Sequence, residues 1–155
     1  MQPIAIIGFS TLFPEAPDPE QFWKNLLEGR DSRVEAGPEQ MGTDPARFYD
    51  PHKSTVDRYY CHQGGYIRDF NLDPEDFALD EETIMRLDDV YHWTLYVARE
   101  ALRDSGYLKK TELLERCGLI LGNLSFPTKS SNHLFLPLYQ QALEPLIAKL
   151  LGKSD

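Results

Sequence analysis

Ile4-Ala5-Ile6-Ile7-Gly8 and Gly118-Leu119-Ile120-Leu121-Gly122 are the two stretches on which the fold turns. Each is a short continuous apolar run closed by glycine. That pattern reads as a strand buried on both faces, as in a parallel or mixed sheet covered by helices. Between them the chain carries two helical patterns, and strand, helix, helix, strand is the βαβ order of a layered α/β protein. The first stretch stands almost at the chain start, so the domain is expected to begin there.

Asp18-Pro19-Glu20-Gln21 has the form of a helix start, with Asp18 as N-cap, Pro19 at the first helical position and Gln21 closing a capping box. Phe22, Trp23, Leu26 and Leu27 fall on one face of that helix, and Gly29 is placed to end it. A second, long helix is expected over about residues 81–105. Leu87, Tyr91, Thr94, Ala98, Ala101 and Leu102 lie near one stripe, with Gly106 as the stop. The two alanines allow another element to approach closely.

From Asp31 to Asp80 the chain is rich in Pro, Gly, Asp and Tyr without helical periodicity, a loop length that tends to be functional or held by packing. Within it, Tyr59-Tyr60-Cys61-His62-Gln63-Gly64-Gly65-Tyr66-Ile67 reads as two short strands around a Gly-Gly bend. The tail from Asn132 to Leu151 is apolar and largely helical, with Pro137 and Pro145 starting, breaking or kinking it.

With 155 residues, 41% of them hydrophobic, the chain is long enough to bury one sizeable core. Sixteen basic against twenty-five acidic residues give a net charge of −9. That field repels a polyanion and argues against nucleic acid as a direct partner. Neither Cys61 nor Cys117 lies in a CxxC pair or at zinc-ligand spacing, so no metal site is expected and a reducing cytoplasm fits. No basic n-region or cleavage site opens the chain, and no stretch approaches the roughly 20 apolar residues of a membrane helix. The full dinucleotide fingerprint is absent around Gly8, as is a phosphate-binding loop, so no nucleotide cofactor is expected.

The landmarks together resemble the N-terminal region of ketoacyl synthase domains, the condensing enzymes of polyketide and polyunsaturated fatty acid synthases. That family opens with an Ile-Ala-Ile-x-Gly strand, a Phe-Pro-x-Ala loop and a Phe-Trp helix followed by Gly-x-Asp. Here stand Ile4-Ala5-Ile6-Ile7-Gly8, Phe13-Pro14-Glu15-Ala16, Phe22-Trp23 and Gly29-Arg30-Asp31. Phe48-Tyr49-Asp50-Pro51, Gly64-Gly65-Tyr66-Ile67, the helix end Ala98-Arg99-Glu100-Ala101-Leu102-Arg103-Asp104-Ser105-Gly106 and the second apolar run follow in the family's order. Tyr60-Cys61, Gly64-Gly65 and Leu124-Ser125-Phe126-Pro127 are most similar to the bacterial polyunsaturated fatty acid synthase subunit in which a ketoacyl synthase precedes a chain-length-factor-like domain. One departure stands in the long helix, where the family's Met-Asp-Pro-Gln-Gln-Arg is replaced by Leu87-Asp88-Asp89-Val90-Tyr91-His92.

The resemblance implies the N-terminal portion of a thiolase-like layered α/β fold, a mixed sheet covered by helices, spanning residues 1–155 and stopping before the family's Thr-Ala-Cys-Ser-Ser nucleophile elbow and both catalytic histidines. It implies a parent that condenses acyl chains with malonyl-carrier protein, uses phosphopantetheine-linked acyl carrier protein substrates, binds no cofactor directly, and works with other synthase domains as a homo- or heterodimer. The chain itself is expected to be inactive and to contribute no catalytic residue. A chain-length-factor relative, a non-catalytic association module, shares the same landmarks and is the alternative.

The residues agree with that expectation of inactivity. Cys117 begins an expected core strand, where a thiol packs as a small hydrophobe. Cys61 and His62 are adjacent on an expected strand and so point to opposite faces, which prevents the hydrogen bond a nucleophile needs from its base. His52, His92 and His133 are isolated. Glu75-Asp76 and Asp80-Glu81-Glu82 read as helix N-terminal charge. The candidate site is the loop after the second run, because ligands of α/β proteins gather at the carboxyl ends of strands. By position in the resembling family, Asn123, Leu124, Ser125 and Phe126 line the acyl-chain pocket; a plain strand-to-helix turn is the competing reading. The tail residues Phe135, Leu136, Leu138, Leu143, Leu146, Ile147, Leu150 and Leu151 are the expected contact surface of the association module.

Overall fold

The structure is a computed structural model that describes residues 3–123 and 128–152, with side chains described except at residues 129–136. In chain order the elements are α1 (Pro19–Leu27), β1 (Arg33–Glu35), α2 (Pro38–Met41), a 3₁₀ turn (Pro45–Arg47), β2 (Gln63–Gly65), α3 (Glu81–Met85), α4 (Asp89–Asp104), α5 (Thr111–Leu114) and α6 (Lys129–Leu150). They fall into two compact units. One takes in the chain up to Asp73 together with Tyr96–Lys109; the other holds Pro74–Leu95 and the residues from Lys110 on.

In the first unit, α1 starts as its sequence dictates. Asp18 Oδ1 accepts the Gln21 N–H at 2.7 Å, Pro19 occupies the first turn, and Gly29, at φ +62°, lies just past the end. Gln21 does not close a capping box. Its amide donates to Asn25 Oδ1 at 2.7 Å instead, and Asn25 Nδ2 donates to the Glu15 carbonyl at 3.0 Å. Asn25 is thus the buried residue of α1, and it holds a peptide whose Glu15 sits at φ +57°. The expected apolar face is mostly wet: Phe22 packs on Phe13 with ring centroids 4.6 Å apart, but Trp23, Leu26 and Leu27 are exposed.

Strands β1 and β2 pair antiparallel, with Arg33 opposite Gly65, Val34 opposite Gly64 and Glu35 opposite Gln63. Gly64 and Gly65 therefore belong to a strand and do not form the expected bend. Glycine is needed there for space: a Cβ on Gly64 would lie 2.9 Å from the Tyr66 ring, and one on Gly65 3.0 Å from Pro14 Cγ. This two-stranded ladder is the sheet formed among the described residues. Residues 4–8 run beside the end of α4 without a strand partner among those residues, and Ile4 and Ile6 are 97% and 89% exposed. The expectation of a strand buried on both faces is corrected here. An extended run is buried on both faces only when strands flank it and helices cover it; here Gly8 and Phe9 meet the end of α4.

Ala16, Ala36 and Leu72 are buried in this unit, together with Arg99 of α4. The Arg99 guanidinium donates from Nη1 to the Asp73 carbonyl at 2.7 Å and from Nε to Glu100 at 3.0 Å. Tyr96 packs edge-on against Phe70 and donates its hydroxyl proton to the Pro17 carbonyl at 3.0 Å.

The single long helix expected over residues 81–105 is two helices, α3 in the second unit and α4 running from the second unit into the first. Asp80 caps α3 by accepting the Thr83 N–H at 2.9 Å and the Thr83 hydroxyl at 2.7 Å. The His92 ring meets the Ile84 carbonyl at 2.7 Å, taking up an acceptor at the end of α3, while Asp88 accepts the Tyr91 and His92 N–H groups and opens α4. Ile84 is fully buried. Residues 118–122 form neither helix nor strand ladder among the described residues, with Ile120 97% exposed, and Cys117 is exposed too. Neither the second buried strand nor the packed thiol is formed. α6 continues through Pro137 and Pro145 over 22 residues and leaves Leu138, Leu143, Leu146, Ile147 and Leu150 exposed.

Candidate functional site

Of the loop singled out in the sequence, Asn123 is described, at the end of the irregular residues 118–123 and exposed. Leu124, Ser125 and Phe126 lie outside the described residues. The thiols are far from nucleophile geometry. Cys61 Sγ contacts the Gln63 carbonyl at 3.9 Å and Cys117 Sγ the Gly118 carbonyl at 3.9 Å, and both are exposed.

Three of the four imidazoles are engaged elsewhere, and the His133 side chain lies outside those described. His52 Nδ1 lies 2.9 Å from Asp50, which also accepts the His52 N–H, and these two bonds hold the Asp50 carboxyl below its ordinary value. His62 stacks edge-on to Tyr49 with centroids 4.6 Å apart and lies 3.5 Å from Glu35, not against Cys61. His92 serves the end of α3. Among the described residues no three His, Cys, Asp or Glu side chains gather as a metal site, and none of the described helices is long and apolar enough to cross a membrane.

Two clefts in the first unit were not anticipated. One, of about 410 Å³, is lined by Phe9, Ser10, Asp18, Tyr96, Arg103 and Asp104 among others. Its tyrosine is pushed above the ordinary phenol range, first by burial and then by the field of Glu100. Glu100 in turn pairs with Arg103 at 2.6 Å and with Arg99. The other, of about 330 Å³, is lined by Glu35, Ala36, Pro38, Pro45, Tyr49 and His62 among others. His62 Nδ1 is buried there and has no hydrogen-bond partner among the described residues. Both clefts join segments distant in sequence, so no local pattern announces them.

Residues 1–149 match the family model described as beta-ketoacyl synthase, N-terminal domain. The chain belongs to that family. More particularly, it is similar to the structure titled PfaC Keto synthase-Chain length factor, at 49% identity and a TM-score of 0.83 over 93% of this chain and 15% of that one. An oxazolomycin ketosynthase domain of Streptomyces albus superposes with a TM-score of 0.54 at 32% identity over 64% of this chain and 17% of its own. A polyunsaturated fatty acid synthase polypeptide of Thraustochytrium is 26% identical over 95% of this chain, which spans 5% of that relative's length. The fold is accordingly the α/β, thiolase-like fold of ketosynthases, of which this chain forms a part.

Proposed function

We propose that the chain is the N-terminal section of a beta-ketoacyl synthase that condenses acyl chains with malonyl-carrier protein in polyunsaturated fatty acid or polyketide assembly. The observation that carries this is the 49% identity to a keto synthase-chain length factor across 93% of the chain. The condensation needs an activated thiolate to accept the acyl group and histidines to stabilise the enolate and the thioester oxyanion. Those groups are assigned to polypeptide beyond Asp155. In support, among the described residues the two thiols contact the Gln63 and Gly118 carbonyls, and His52, His62 and His92 have other partners.

In this reading the substrates arrive on the phosphopantetheine arm of an acyl carrier protein in the cytoplasm, other synthase domains are the partners, and the synthase works as a homo- or heterodimer. Asn123, Leu124, Ser125 and Phe126 line the acyl-chain pocket of the assembled synthase. The test is covalent transfer from a radiolabelled acyl thioester to the isolated chain: no label is expected on Cys61 or Cys117, and stable labelling of either overturns the assignment. In a chain extended past Asp155, Phe126→Trp is expected to shorten the longest acyl primer accepted.

The second reading is a chain-length-factor-like association piece. It is favoured by the exposed apolar residues of α6 and the turn beyond it, Leu138, Leu143, Leu146, Ile147, Leu150 and Leu151. Light scattering decides it, since a clean monomer at high concentration contradicts association.

A further inference from the structure

We draw no further inference here: the strongest candidate, the cleft of about 410 Å³ where Asp18, Glu20 and Asp104 gather beside Phe9 and Tyr96, is a cluster of acidic side chains, and nothing among the described residues shows what ligand would fill it.

Discussion

The carboxylate of Asp104 accepts the main-chain N–H of Phe9 at 3.0 Å, across 95 residues of chain. One residue earlier the backbone passes so close to α4 that a Cβ on Gly8 would lie 2.7 Å from the Ala101 carbonyl oxygen and from Ser105 Cβ. Gly8→Ala is therefore expected to cost about 1–3 kcal/mol, the range of overpacked sites. The urea midpoint should fall with the slope unchanged. Asp104→Asn, which keeps an oxygen acceptor, should be milder than Asp104→Ala.

Arg99 is a buried cation whose stem and head both pack, at 6% exposure. Arg99→Met keeps much of the volume but removes the hydrogen bond from the guanidinium to the Asp73 carbonyl. About 1–3 kcal/mol of stability should be lost, while Arg103→Met, at an exposed position of the same helix, should cost well under half of that. Equal losses in thermal unfolding would contradict the assignment of Arg99 as the buried tie.

Asp31 titrates at about 2, lowered from 3.8 first by the side-chain hydrogen bonds from Arg33 and then by the Arg33 N–H. Because the folded-state value is depressed, the pair's contribution is complete above about 3.8 and is lost as pH falls through about 2. Carbon-detected NMR should place the Asp31 midpoint near 2 and move it up toward the ordinary value in Arg33→Gln. An unchanged midpoint in that variant removes Arg33 as the cause.

Both thiols are exposed. A colorimetric thiol reagent should titrate two groups in the folded chain as rapidly as after denaturation. Slow reaction of Cys117 would mean that residues 117–122 are covered, contrary to their exposure here.

Local rules in the sequence were obeyed where local chemistry decides. Asp18-Pro19 starts α1 and Gly29 stops it because an N-cap carboxylate, a ring-locked φ and a left-handed glycine act within a turn. The ketoacyl synthase family was legible from the order of motifs. The break between α3 and α4 was not, since apolar periodicity runs through Leu87 while the cause is a ring eight residues away, His92 on the Ile84 carbonyl. Pairing of Gly64 and Gly65 with Arg33 and Val34 was hidden for the same reason: a ladder partner thirty residues distant leaves no local trace. The runs at Ile4 and Ile120 show the complementary limit. Composition records that a segment favours burial, not which neighbour covers it. Of the site residues, Asn123 alone can be located, exposed at the end of the second run.

Among the described residues the amides at residues 4–7 and 119–121 have no backbone partner, and their hydrogens should trade with deuterated solvent far sooner than those inside α4. Rods of bare peptide lined with isoleucine also template strand addition from any neighbouring chain. Concentrated samples should consequently gain cross-β signal from these two segments first, and a lysine at Ile6 or Ile120 should delay it.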